Sequence, residues 1–427
     1  MSVSTTTSRR SFLKGATAGV AASALGMASV ALADEAAGDP NAAPEAWDVE
    51  TDVVVMGYGY AGQASAISAA VEGSKVQVFE KAPEEYAGGN SSVCCGYFNI
   101  VTGEGSVEYW KALADGGASD EECQAVAEAT ELMPEWFSEN IINADITEND
   151  ADRTSKKFNG VEYPNSNKYS MMINFDEAFD GQGGGQRTWN NIDAVIKDRY
   201  AESITLNYDS EVTHLIQDPA TKEVLGVRVQ QGDKEICVKA AKGVIMACGG
   251  CGNNADMVKA LYPIAAENNN LPTWTSFDVE GNPTNTGDGY WMGYWAGAGF
   301  SQNMCAMTHV MGGPNDVANM ETSSGCTSQH LRLNYNGQRF MNEDTNVSDC
   351  ELAFDRQPKK KAFLIFDSHY GEQIVDCVTE FSYTMEEWDA KVDNETVFKA
   401  DTLEELFAAI KAYDDDFEAD NAIASVE

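Results

Sequence analysis

Two motifs place anion-binding or reactive groups at spacings with chemical meaning. The first is Gly57-x-Gly59-x-x-Gly62. Glycines at that spacing make a turn in which the backbone approaches a phosphate closely, while the N–H groups of a following helix face the anion. The second is Cys248-x-x-Cys251, inside the run ACGGCGNN from Ala247 to Asn254. Two cysteines so spaced suit a redox dithiol, a metal pair or haem attachment, and the surroundings decide among these. No histidine follows Cys251 as covalent haem requires, and no ferredoxin-like run of four cysteine ligands occurs. The four histidines, His214, His309, His330 and His369, do not indicate a zinc site, so no residue is assigned to a metal.

The elements that must position these motifs can be read from Thr51 to Lys81. Val53–Val55 is a β-branched run suited to a strand buried on both faces of a parallel sheet. It leads into the glycine turn, then into an Ala/Ser/Ile segment spaced for a helix packed tightly on that sheet. A second strand, Lys75–Phe79, ends in Glu80, which can accept hydrogen bonds from a ribose. A lone GxGxxG says little; strand, turn, helix, strand and acid in that order predict a dinucleotide-binding α/β fold of Rossmann type. Between Ser203 and Met246 the alternation predicts a strand, a β-meander and a final buried strand, with a turn at Gln231-Gly232-Asp233. A helix is expected over Tyr290–Ala298; taken alone, Asp288 reads as a helix N-cap, a role compatible with lying near a cofactor.

After Glu80 comes EKAPEEYAGGNSSVCCGYFN, with a Gly88-Gly89-Asn90-Ser91 loop and then Cys94-Cys95-Gly96. With this loop the chain resembles the soluble flavoproteins of the fumarate reductase and succinate dehydrogenase flavoprotein superfamily, which includes urocanate reductase and the 3-ketosteroid dehydrogenases. The resemblance implies FAD, lying along the GGN loop. No histidine occurs in that loop to attach it, so non-covalent FAD is expected. It also implies cofactor contacts from Gly57, Gly59, Ala61, Gly62, Glu80, Lys81, Gly89, Asn90, Ser91, Gly96, Val212, Gly249 and Asp288. ACGGCGNN stands where the family carries Ala-Thr-Gly-Gly-Phe-Gly-x-Asn. The glycines then carry the function, and Cys248 and Cys251 are substituents in a turn. Asn285–Phe300, NTGDGYWMGYWAGAGF, is similar to the family's Thr-Gly-Asp-Gly segment.

From Gln302 the resemblance continues into a substrate-capping α+β domain. His309 stands where relatives carry a His-Pro-Thr at the substrate pocket, with Val310 replacing the proline. Leu331–Asp349, LRLNYNGQRFMNEDTNVSD, matches the family's strand–turn–strand. In fumarate reductases an arginine four residues after the Glu of this motif gives a proton to the substrate carbon as the flavin delivers hydride. The position four after Glu343 is Val347, and the residues that feed that arginine correspond to Ser323 and Cys326. Hydride addition to an activated C=C leaves a carbanion, so an acid is still required. Candidates are His309, Tyr370, Cys326 and His330. The implied reaction is reduction of an activated C=C bond of a small organic substrate other than fumarate, such as an enone or aromatic acrylate. A 3-ketosteroid-type dehydrogenase, running the same chemistry in reverse, is the alternative. Relatives continue beyond the motif at Val426-Glu427 and return to the flavin domain. A truncated or split flavoprotein, partnered by a complementing C-terminal polypeptide, is therefore the other expectation.

The N-terminus, SRRSFLKG from Ser8 to Gly15 followed by an Ala/Gly stretch ending ALA at Ala33, resembles a twin-arginine (Tat) signal. Such a signal implies export of a folded, cofactor-loaded protein to the periplasm or cell surface. The expected organisation is a signal at 1–33, a linker at 34–48, an FAD-binding domain at 49–301 and a capping domain at 302–427. A net charge of −40 argues against nucleic acid as a partner. Without a haem or iron–sulfur motif, electrons must come from a separate donor protein or membrane redox partner.

Overall fold

The computed structural model describes residues 39–261 and 276–426, apart from gaps of one to three residues and the stretches 149–155, 176–183, 301–329, 344–352 and 370–384. The valine run lies in β1 (Val49–Met56). Successive side chains of a strand point to opposite faces, and here each face has its own core. Val53 and Val55 pack with Val76, Val78 and Ile204 on one side; Val54 and Met56 pack with Val212, Val227 and Val238 on the other. That double burial is what a continuous apolar run in a parallel sheet requires.

Helix α1 (Tyr60–Val71) connects β1 to β2 (Val76–Phe79), and a short α2 (Gly89–Val93) follows. α3 (Asp120–Asn140) starts at a capping box, Ser119 and Glu122 satisfying each other's backbone N–H groups. α4 (Gly184–Arg199) buries Thr188, Ile192, Val195 and Ile196, a helical stripe against the first core. Four further strands complete the sheet: β3 (Ile204–Asn207), β4 (Ser210–Gln217), β5 (Val224–Gln231) and β6 (Lys234–Met246). Their order is β3-β2-β1-β6-β5-β4, with the first three junctions parallel and the last two antiparallel. The α/β fold with a meander is therefore as expected.

Two details differ. The third meander strand and the final strand are one element: Lys234–Lys239 pairs antiparallel with β5, while Val238–Met246 runs parallel along β1. No turn separates them, because the run KEICVKAAKGVIM contains no turn pair; the register shift between Thr51 and Val53 absorbs the mismatch. The end of β6 is also not buried, with Ile245 at 36% and Met246 at 48% exposure.

The expected linker makes contacts of its own. Its described part, residues 39–48, docks on the meander: Gln217 N donates to Asn41 O at 2.8 Å, and Asp48 exchanges two hydrogen bonds with Cys237 at 2.9 Å.

Beyond residue 329, β7 (Leu331–Asn334) pairs antiparallel with β8 (Ala362–Ile365). The strand expected after the turn at Gly337 is reduced to one bridge, Leu333 to Arg339. Arg339 ion-pairs there with buried Glu343, whose Oε1 also accepts from Arg332 N. α5 (Asp288–Trp295) covers the second face of the main sheet; α6 (Leu403–Tyr413) and α7 (Ala419–Val426) bury Phe407, Ile410 and Ala422 against Leu333 and Tyr335. Among the described residues no helix is long and apolar enough to cross a membrane.

Candidate functional site

The glycine turn is fixed by two strands. Gly57 N donates to Phe79 O at 2.8 Å, and Ala247 N to Met56 O at 2.9 Å. Gly57 has φ 97°, and a Cβ there would lie 2.5 Å from Ala247 O. Only glycine meets both conditions. A Cβ on Gly62 would overlap Gly57 O, so the third glycine brings α1 against the turn as the motif requires. The N-cap of α1 is Gly59, which supplies no side-chain cap, and no acid lies in the first turn. The positive end of the helix dipole is thus left for an anion.

Glu80 stands at the end of β2. Its Oε2 accepts from Tyr58 N at 2.8 Å and its Oε1 from Ala82 N at 2.9 Å, which fixes the carboxylate beside the turn. Lys81 Nζ donates to Asp288 Oδ2 at 2.7 Å, and Thr286 Oγ1 donates to the same carboxylate at 3.0 Å. Asp288 is not the N-cap of α5. That place is taken by Gly287, at φ 79°, where an aspartate would be strained, and Asp288 opens the first turn facing Lys81.

The GGN loop is held from three directions. Ser91 Oγ accepts from Tyr60 N at 3.0 Å, tying the loop to the head of α1. Asn90 Oδ1 accepts from Ser276 N at 2.9 Å. Gly96, at φ 77°, lies so close to the start of α4 that a Cβ would come within 2.5 Å of Gly184 C. Gly96 therefore sets the approach of two backbones.

These parts enclose a cleft of about 550 Å³. Gly57, Gly59, Ala61, Glu80, Lys81, Gly89, Asn90, Ser91, Val212, Gly249 and Asp288 line it; Gly62 and Gly96 stand behind the wall. Cys248 lines it too. Burial, and then the Asp288 carboxylate, push its thiol up to about 12. Cys251 is buried, neither cysteine is in a disulfide, and neither lies in a helix, the next one beginning at Ala255. His309, Cys326 and Tyr370, with Ser323 and Val347, lie outside the described residues. His330 is buried next to β7, 5.7 Å from the Phe366 ring, and its imidazole is lowered by burial and by Arg332.

Sequence reasoning missed the support from α4. Trp189 Nε1 donates to Tyr58 O at 2.8 Å, and Tyr58 Oη donates to Asp193 Oδ1 at 2.8 Å, so one helix holds the middle of the glycine turn. Burial and the Asp193 carboxylate raise the Tyr58 phenol. Asp193 in turn pairs with Lys197 at 2.9 Å. The available signal was the amphipathic spacing of Gly184–Arg199 directly before β3.

A glycine cradle, an uncapped helix N-terminus, a fixed acid at the end of β2 and a lysine in the same cleft fit a dinucleotide cofactor. Comparison with known proteins agrees. A probable fumarate reductase of Shewanella frigidimarina is 26% identical over 368 residues, covering 83% of this chain and 55% of the relative. Digoxin reductase of Eggerthella lenta is 28% identical over 409 residues, covering 82% and 67%. The chain thus spans about half to two thirds of the length of these relatives. In fold it is similar to a 3-ketosteroid-Δ4-(5α)-dehydrogenase of Rhodococcus jostii RHA1, with a TM-score of 0.63 at 20% identity, covering 91% of this chain and 78% of that one. By its match over residues 52–424, the chain belongs to the FAD binding domain family, and its cofactor is FAD.

Proposed function

We propose that this protein is an exported FAD-dependent oxidoreductase that reduces an activated C=C bond of a small organic substrate. The observation that carries this is the cleft between the GGN loop, the glycine turn and Lys81–Asp288, in a chain whose relatives include reductases of fumarate, acrylate and vinyl phenol. Gly57, Gly59 and the head of α1 receive the pyrophosphate, Glu80 receives a ribose, and the loop at Gly89–Ser91 lies along the flavin. FAD supplies a hydride donor and acceptor when bound. The chain's own work is to orient it, to exclude water and to hold a proton near the substrate carbon. The acid is sought among His309, Cys326 and Tyr370, because Val347 stands where fumarate reductases carry arginine. Residues 49–301 form the cofactor domain and 302–427 the cap. Electrons arrive from a separate donor protein, and the Tat-like leader takes the folded protein out of the cytoplasm.

The test is reoxidation of the dithionite-reduced protein, followed by flavin absorbance under anaerobic conditions. Fumarate, acrylate, a hydroxycinnamate and a 4-en-3-one are offered separately. An enone or aromatic acrylate is expected to reoxidise the flavin at least tenfold faster than fumarate. Fumarate as the best substrate, or no reoxidation by any, overturns the reading.

A second reading is favoured by the end of β6. Val244–Met246 pairs with β1 on one side, and among the described residues no strand pairs on the other, where the pairing with β5 ends at Gly226 opposite Lys239. On that reading a complementing polypeptide adds a strand there.

A further inference from the structure

Between the ACGGCGNN turn and α5 the chain turns back on itself, Thr284 returning to Ser276 and Asn282 to Asp278. Thr284 N and Thr284 Oγ1 donate to Ser276 O at 3.1 and 2.9 Å, closing the base of this turn. Asp278 makes the tip rigid: its Oδ1 accepts from Glu280 N at 2.9 Å and from Asn282 N at 2.7 Å. The base is latched twice to the cofactor cleft. Ser276 N and Ser276 Oγ donate to Asn90 Oδ1 at 2.9 and 3.0 Å, and Asn253 Nδ2 donates to Ser276 O at 2.8 Å.

The two neighbouring side chains at this base have opposite fates. Ser276 is buried at 8% exposure against Asn90, whereas Phe277 lines the cleft and remains 57% exposed. A phenyl ring on a pre-ordered turn loses little conformational freedom when something covers it, so it is well suited to bind a flat aromatic group. FAD has such a group at each end, the isoalloxazine and the adenine.

We propose that Phe277 is a cofactor-positioning residue whose ring covers an aromatic face of bound FAD, held in place by the Asn90–Ser276 latch. The proposal rests on the assignment of FAD and is independent of the substrate. Asn90 accordingly acts by fixing this turn, in addition to any contact of its own.

The test is FAD affinity of the apoprotein, read by quenching of flavin fluorescence, with no substrate present. Phe277→Ala is expected to weaken binding about tenfold, the scale of burying part of a phenyl ring. Phe277→Tyr is expected to retain wild-type affinity. In Phe277→Trp, the additional indole emission is expected to fall as FAD is added. Thermal melts of the apo forms check that the exposed substitution leaves the fold intact. Unchanged affinity in F277A, or equal weakening in F277A and F277Y, overturns the proposal. Wild-type protein that binds no FAD would overturn the proposal as well, since the ring would then cover no cofactor in this chain. Failure of every substrate in the reoxidation assay would leave this result standing.

Discussion

Cys248 shows how little a spacing says without its surroundings. A reactive dithiol needs one thiolate, usually provided by a helix N-terminus or a neighbouring cation. In this chain the motif lies in an irregular turn, and burial beside Asp288 pushes the Cys248 thiol up to about 12 from an ordinary 9.0. The sign follows directly. A thiol raised in the folded chain contributes stability fully below about pH 9, and loses it as the pH climbs toward 12. Iodoacetamide at pH 8 is expected to spare Cys248 in the native protein and to alkylate it in guanidinium, as read by peptide mass spectrometry. Rapid native labelling, or a Cys248–Cys251 disulfide peptide, would restore the dithiol reading. The turn at Gly57 and the place of Glu80 at the end of β2 were legible because turn geometry and the strand-end acid are local properties. The partner of Asn90 was not legible. Ser276 lies 186 residues away, and no periodicity links the two.

At the scale of elements, the strand–turn–helix–strand unit and the meander could be read from alternation and turn residues. The strap before β1 could not. Its Ala/Asp/Pro composition is that of a linker, and its contacts are backbone carbonyls whose partners lie far along the chain. Arg228 Nε donates to Pro40 O at 2.6 Å and Arg228 Nη2 to Ala42 O at 3.2 Å, while Nη1 meets the more exposed Glu235 at 2.8 Å. Trp47 lies over Gly226, where a Cβ would come within 2.9 Å of its ring. Two bonds from a charged donor to backbone carbonyls, one of them part-buried, outweigh one exposed ion pair. Arg228→Ala is therefore expected to cost about 2 kcal/mol in urea unfolding. In a chain beginning at Val49 the same substitution should cost under about 1 kcal/mol, because the exposed Glu235 pair and a weak bond to Cys237 Sγ are what remain to be lost. Equal losses in the two backgrounds would mean that the strap contributes nothing through Arg228.

For the whole molecule the side of β6 on which no strand pairs among the described residues is the feature with the largest consequence. An unpaired strand edge offers a row of N–H and C=O groups to any other strand, and proteins ordinarily cover it or place charges on it. Here Val244, Ile245 and Met246 carry no charge, with Ile245 and Met246 exposed at 36% and 48%. The same strand continues into Ala247–Gly249, which lines the cleft, so the state of this edge and the order of the cofactor wall are linked. Purified residues 34–427 are expected to associate with rising concentration in sedimentation velocity and to hold less than one flavin per chain. Ile245→Lys should suppress the association, by placing a charge on the edge, without restoring the flavin. A complementing strand should do both, giving a discrete complex with near-stoichiometric flavin. Wild-type chain that stays monomeric with one flavin per polypeptide would mean that the fold closes its own edge, and the complementing partner would have no place to bind.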